Sequence, residues 1–286
     1  MFRRGARVRP LRSAAWQASH ALTLRDPLVN ALGGARLEEL ARAGALGREF
    51  HLAGEDHAPT GILWDGVNLS PMGATEETIE LFGRFAAARA RRASSVVGQR
   101  HAVEQLWPHL EPLWGSEVRE HRWSQPLLEA TQDPSAPTAA AATQVGLRAA
   151  AVDEAERVFP AAVAMFREEV GVDPLRGDGG RGYRGRVEEL LRQGRTYVVL
   201  EDGEVVFKAD VGARFGGTAQ IHGVWVRPTH RSQGLGRAAM AALVPLVRAD
   251  HAPRVALYVN DFNEPARRAY AAAGFTQVAE LSTILF

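Results

Sequence analysis

The chain has 286 residues and not one cysteine. That removes disulfides, thiolate zinc sites, iron–sulfur clusters and every mechanism with a cysteine nucleophile in one step. A reducing compartment is thereby permitted, and we expect a cytoplasmic protein. No apolar run approaches the ~18 residues that a membrane span needs; the densest stretch, Ala238 to Val247, is broken by Pro245. Excess charge is missing too. Lys plus Arg number 34 against 33 Asp plus Glu, a net +1, so nothing in the balance calls for nucleic acid or an anionic membrane as a partner. Lysine is almost absent, Lys208 being the one lysine among those 34 cations. Together with the abundant alanine, this reads as GC-rich coding rather than chemistry. The Arg-rich start (Arg3, Arg4, Arg7, Arg9, Arg12) has no apolar segment behind it and reads as a frayed basic tail, not as a secretory signal.

What is present is a globular composition, 46% hydrophobic and 23% charged, in a length that suits two domains. Between Thr131 and Gln144 the run TQDPSAPTAAAATQ has two prolines and no large apolar side chain, which is linker composition. The expected organisation is therefore an N-terminal domain at 1–130, a linker at 131–144 and a C-terminal domain at 145–286. In the latter, helices are expected over Asp153–Val170 and Gly185–Gln193, then strands Thr196–Leu200 and Glu204–Ala209 joined by an Asp202–Gly203 hairpin turn. Strand Gln220–Val226, helix Gly234–Arg248, strand Val255–Val259, helix Glu264–Ala273 and two short last strands, Thr276–Ala279 and Ser282–Phe286, complete it. Pro245 should kink its helix. The N-terminal part offers a short helix capped by Asp26 and Pro27, strands Phe50–Ala53, Ile62–Trp64 and Val67–Ser70, a helix Thr75–Arg91, a strand Ser94–Val97 and a helix Val103–Trp114. Gly66, Val67, Leu69 and Pro71 line up with Gly223, Val224, Val226 and Pro228, which suggests an internal repeat offset by 157 residues.

The strongest local signal is GVWVRPTHRSQGLGRAA, a strand followed by Arg231, Ser232, Gln233, Gly234, Leu235, Gly236, Arg237 and Ala238 at the opening of a helix. A helix start presents unpaired backbone N–H groups and the positive end of the macrodipole, and glycines let a phosphate approach closely. Arg231 and Arg237 would add charge-assisted bonds to it. Gly234, Gly236 and Ala239 formally fit the dinucleotide fingerprint, yet Arg227 to Gln233 separate them from the strand end where that motif begins. No Gly-Lys-Ser/Thr follows, which excludes a P-loop.

Downstream, VALYVNDFNEPARRAYAAAGF places Asn263, Ala266 and Tyr270 at i, i+3 and i+7 on one helix face, with Asn260 just before the helix. Strand, Arg-x-x-Gly-x-Gly, helix, strand and then Asn-x-x-Ala-x-x-x-Tyr-x-x-x-Gly-Phe resemble the GNAT superfamily of acetyl-coenzyme A dependent N-acetyltransferases over about residues 145–286. The segments AMFREEVGVDPL, GVNLSP and LYVNDFN look further like a bacterial subfamily with an extra, poorly characterised N-terminal domain. The resemblance implies a mixed-sheet α/β fold of tandem GNAT-like domains, the first degenerate. It implies that strand 220–226 splays from strand 255–259, with pantetheine in the gap on the backbone of Val224, Trp225 and Val226 and the pyrophosphate on residues 231–238. Asn260, Asn263 and Ala266 would line the pantetheine arm. Tyr270 would stand near the thioester sulfur, where a departing thiolate needs a proton. No metal is called for.

An amine acceptor must itself lose a proton. Family members often place Glu where this chain has Gln220, and an amide takes no proton, so His222, Glu168, Glu169 and water stand as alternatives. Without cysteine an acetyl-Cys relay is impossible, and transfer should be direct in a ternary complex. In the first copy Glu76 and Glu77 sit where the phosphate loop would be, and carboxylates there repel a pyrophosphate. The first domain is then expected to have lost the cofactor and to shape the acceptor site or cover the catalytic domain. The expected partners are acetyl-coenzyme A and a primary amine, a protein lysine, an N-terminus or a small amine, in a monomer or homodimer. The alternative is an acyl-coenzyme A sensor that binds without turnover.

Overall fold

The computed structural model describes residues 7–286, which fall into two compact units: residues up to Leu127 together with Gln277–Phe286, and Leu128–Thr276. Arg3 and Arg4 of the basic start lie outside the described residues. Arg9 does not fray. It opens a two-residue strand, β1 (Arg9–Pro10), and its guanidinium meets Asp56 and the Gly54 carbonyl. Leu11 behind it is buried, which ties this segment down.

The first unit continues with α1 (Trp16–Thr23), α2 (Ala31–Arg42), β2 (Phe50–Glu55), β3 (Ala58–Asp65), β4 (Asn68–Met72), α3 (Glu76–Ala87), β5 (Ser95–Gln99), α4 (Arg100–Trp114) and β6 (Glu120–Ala130), of which Leu128–Ala130 belong to the second unit. The Asp26 carboxylate accepts from Val29 N–H as a cap would, but residues 27–30 form turns and the helix, α2, begins only at Ala31. The sheet runs β1-β2-β3-β4-β5 and is antiparallel except for β4 and β5, which pair in parallel. Phe82, Val103, Leu106 and Leu110 of α3 and α4 cover one face, and Leu37 and Leu40 of α2 the other, so the strands are apolar on both sides.

In the second unit follow α5 (Ala136–Ala142), β7 (Arg148–Ala149), α6 (Ala155–Val170), α7 (Arg181–Arg192), β8 (Thr196–Glu201), β9 (Glu204–Phe215), β10 (Thr218–Val226), α8 (Leu235–Asp250), β11 (Arg254–Tyr258), α9 (Glu264–Ala272) and β12 (Phe275–Leu285). Asp202 and Gly203 both take positive φ, 48° and 79°, as a two-residue hairpin turn requires. The strands run β11-β10-β9-β8-β7, with α6 and α7 packing on one face and α8 and α9 on the other. Four consecutive alanines make good helix as well as good linker: α5 occupies the middle of 131–144, with Thr138 buried. α8 runs through Pro245 unbroken.

The chain end differs from expectation. One strand, β12, replaces the two short ones, and from Gln277 on it belongs to the first unit, where Leu281–Leu285 pair antiparallel to β5. The break expected at Glu280–Leu281 does not occur: the strand runs through both, with Leu281 buried.

The repeat holds in topology: three antiparallel strands, helix, parallel strand, helix and strand occur twice, as β2 to β6 and as β8 to β12. Its register does not hold. Gly66 precedes β4, whereas Gly223 lies inside β10, so the four-residue match aligns positions that are not equivalent.

Candidate active site

β10 and β11 pair in parallel only at Thr218↔Arg254, Ala219↔Val255 and Gln220↔Ala256. Beyond Gln220 the two strands share no backbone ladder, and a cleft opens toward their C-terminal ends. On its other side β10 is bulged: His222 faces Asp210 and Trp225 faces Lys208, so Gly223 and Val224 stand opposite Ala209 alone. Gly223 takes φ 56°, which supplies the bend at low cost. Val224 and Val226 pack with the α8 side, Trp225 with the α6 side.

The loop after β10 turns through Pro228–His230, then Ser232 (φ 60°) and Gly234 (φ 85°) take left-handed conformations before α8 begins. The first backbone bond of that helix runs from Ala238 N–H to the Gly234 carbonyl. Among the described residues, the N–H groups of Ser232, Gln233, Gly234, Leu235, Gly236 and Arg237 have no acceptor, a row of donors at the positive end of a sixteen-residue helix. Arg237 folds its guanidinium over Gly234. Gln233 donates its side-chain amide to the Thr229 carbonyl.

Arg231 is engaged elsewhere. Its Nε donates to the Val226 carbonyl (2.9 Å) and its Nη2 to Glu168 Oε2 (2.6 Å), while Trp225 Nε1 donates to Glu168 Oε1 (3.1 Å). Both Glu168 oxygens are thus committed, which sets it apart from an available base. Glu169, next along α6, lies close enough to Tyr183 and Tyr270 for its charge to raise both phenols.

α9 is capped as its sequence suggests, with Asn263 Oδ1 accepting from Ala266 N–H at 3.3 Å. Asn263 N–H in turn donates to the Asn260 carbonyl. Tyr270, seven residues on, is 7% exposed and packs on Phe275, and its hydroxyl has no hydrogen-bond partner among the described residues. Burial, with Glu169 adding to it, pushes the phenol well above its ordinary value, so it keeps its proton.

On the α6 side His222 Nε2 meets Gln220 Oε1 at 2.8 Å, its ring lies against Gly212 and it stands edge-on to Tyr258 at 6.0 Å. Burial lowers His222 to about 4, so it is neutral at pH 7. Beside it lies a group of residues that sequence reasoning missed: Lys208, ion-paired with Asp210, whose Oδ1 accepts from Thr196 Oγ1 at 2.8 Å. A signal existed, the chain's one lysine two residues from an aspartate inside the apolar run VVFKADV. No group of three or more metal-ligating side chains occurs among the described residues.

Residues 163–275 match the acetyltransferase (GNAT) family, and residues 49–158 match a domain of unknown function (DUF4081). No curated protein matches. Solved structures similar to this chain include an acetyltransferase of the GNAT family from Colwellia psychrerythraea, at 11% identity and TM-score 0.58 over 98% of this chain and 99% of that one. A GCN5-related N-acetyltransferase from Sphaerobacter thermophilus aligns at 15% identity and TM-score 0.55 over 99% and 96%. A GCN5-related N-acetyltransferase-like protein from Streptococcus suis aligns at 14% identity and TM-score 0.52 over 93% and 100%. At these identities the likeness is one of fold.

Proposed function

We propose, from the match of residues 163–275 to the acetyltransferase (GNAT) family, that the second unit moves an acetyl group from acetyl-coenzyme A directly to a primary amine. The observation that carries this reading is the row of acceptorless N–H groups from Ser232 to Arg237 beside a cleft between two parallel strands. That row suits a pyrophosphate, and Arg237 adds a cation to it. The backbone of Val224, Trp225 and Val226, beyond the last β10–β11 pair, would take the pantetheine amides, with Asn260, Asn263 and Ala266 lining the arm.

Tyr270 offers its unpartnered hydroxyl to the sulfur. A phenol held protonated donates to the thiolate as it forms, by hydrogen bond or by transfer. At the acceptor, an alkylamine of pKa about 10.4 carries a handicap of roughly 4.6 kcal/mol at pH 7 in losing its proton. His222 is the group we assign to receive it: uncharged at pH 7, with Nε2 on Gln220 and Nδ1 lying over Gly212. An imidazole of such low basicity is a weak base, so it serves to pass the proton on toward solvent rather than to keep it.

The test is thiol release from acetyl-coenzyme A with and without amines, alongside calorimetric titration of coenzyme A. One site per chain and amine-dependent release support the proposal. Binding with no release for any amine, peptides and small polyamines included, means a sensor instead, and no binding removes both readings.

A further inference from the structure

Of the 34 cations in this chain 33 are arginine, and the one lysine is the most deeply buried Lys or Arg among the described residues, 1% exposed in the middle of β9. Its partner Asp210 is 7% exposed. A buried carboxylate persists only with its oxygens satisfied, and here both are: Oδ1 takes the Thr196 hydroxyl and Oδ2 takes Lys208 Nζ. The pair lies directly under the bulge, since a Cβ on Gly223 would stand 3.4 Å from Asp210 Oδ2 and 3.5 Å from Lys208 Nζ. Across the ladder, Asp210 is the register partner of His222. The carboxylate that would most readily pair with the imidazole is therefore its neighbour, and is already held.

We propose that Lys208 is a positioning residue: by holding Asp210 it withholds that carboxylate from His222, so the imidazole stays uncharged and free to take a proton. The catalytic consequence rests on the acetyltransferase reading above; the effect on His222 does not. Other groups around the ring are consistent with this balance. Gln220 on β10 is uncharged and accepts from Nε2, Tyr258 on β11 presents a ring, and Arg186 on α7 disfavours a second positive charge. Tyr183 on α7 gives its hydroxyl to the Ala162 carbonyl, and its phenol, raised by burial and by Asp210 and Glu169, stays neutral. Asp210 alone among these charges favours imidazolium, and Lys208 opposes it. Replacing Lys208 by an apolar residue leaves a buried carboxylate with one partner missing, and His222, its register partner on β10, is a group beside it that can become a cation by taking a proton.

The experiment is an NMR titration of the full chain, following the imidazole Cε1–H signals of its nine histidines and assigning His222 by its loss in His222→Gln. In the unaltered protein the midpoint is expected near 4. In Lys208→Met it should rise above ~6, toward the ordinary histidine value or beyond. In Lys208→Met with Asp210→Asn it should fall back, because the isosteric amide has no charge to offer; this double variant also buries no unpaired ion and covers the case in which the single one does not fold. A midpoint in Lys208→Met within about half a pH unit of the unaltered protein, or no reversal in the double variant, overturns the proposal. The parallel rate profile should show Lys208→Met losing about two- to fivefold at pH 6 and recovering toward pH 9, where a structural role would scale the rate equally at every pH. A shifted titration in a protein that acetylates nothing would remove the acetyltransferase reading and leave the control of His222 standing.

Discussion

α3 and α8 open at corresponding points of two units with the same element order, yet they meet solvent in opposite ways. α8 starts from two left-handed residues and an Arg-flanked loop, and its first donors have no acceptor. α3 starts from Thr75, whose hydroxyl accepts from Thr78 N–H, and carries Glu76 and Glu77 in its first turn. The cap takes up one of the first donors of α3, and the two carboxylates beside it give a field that repels an anion. The difference extends to the next helix. Counted from the residue before each helix, Gln99, Ala102 and Leu106 of α4 fall where Asn263, Ala266 and Tyr270 fall around α9, so an aliphatic side chain, fully buried, stands in the place of the phenol. In the first unit Leu22 packs against Gly73 after β4, and the cavity beside it is about 90 Å³, far below the ~300 Å³ or more of a typical ligand pocket. One topology thus supports a site or a solid core according to a few side chains at two helix starts.

The sharpest way to probe this contrast is at the position of Tyr270 and Leu106. Tyr270→Phe keeps the ring that packs on Phe275 and removes only the proton donor, so the maximal rate should fall ten- to a thousandfold with acetyl-coenzyme A affinity held within about threefold. A rate unchanged within twofold would pass the acid role to solvent, and a large loss of affinity would make Tyr270 a binding residue. Next comes Gly234→Asp, which forces a side chain into φ 85° and puts a carboxylate among the donors; calorimetry should find coenzyme A weakened at least about a hundredfold. The mirror experiment, Glu76→Gln with Glu77→Gln, should leave one site per chain and the affinity within about twofold, because the Thr75 cap and the small cavity persist. A second site appearing would break the comparison.

Smaller effects are expected at Arg231. Arg231→Ala should weaken coenzyme A by about tenfold and a pantetheine lacking the phosphates by less than about twofold; equal losses would make Arg231 structural. Smallest is Glu168→Gln. This residue competes with the phosphate for Arg231 through a half-exposed ion pair, a contact worth no more than ~1 kcal/mol, so coenzyme A should tighten by about two- to fivefold with the rate kept. A collapse of rate at constant affinity would restore Glu168 as the acceptor's base.

These residues divide into those that sequence displays and those it hides. The Arg231–Gly236 loop and the Asn263–Tyr270 spacing were legible because each is local: backbone conformation and helix periodicity are set within a few residues. The strands and helices from Thr196 to Ala272 follow their hydrophobic patterns within a few residues for the same reason, except that β9 runs on to Phe215, past its expected end at Ala209. Glu168 was misread because its partners, Arg231 and Trp225, lie some sixty residues away on other elements. Lys208 was passed over as coding bias because its meaning depends on Thr196 and His222, which only sheet register brings beside it. The repeat shows both sides, since its element order could be read from pattern, while its register, fixed by pairing, could not.

The placement of β12 has a consequence for how the protein comes into being. Synthesis delivers the first unit's residues up to Leu127 well before the rest, yet β5 finds its antiparallel partner only in Leu281–Leu285. An N-terminal unit that would ordinarily fold while the ribosome is still translating must wait with one edge of β5 open until Leu281–Leu285 have been made. During that interval the exposed edge is a liability of the kind chaperones cover, and nascent chains arrested before residue 277 should be digested by protease at β5 and α4, whereas released chains that include Leu281–Leu285 should resist.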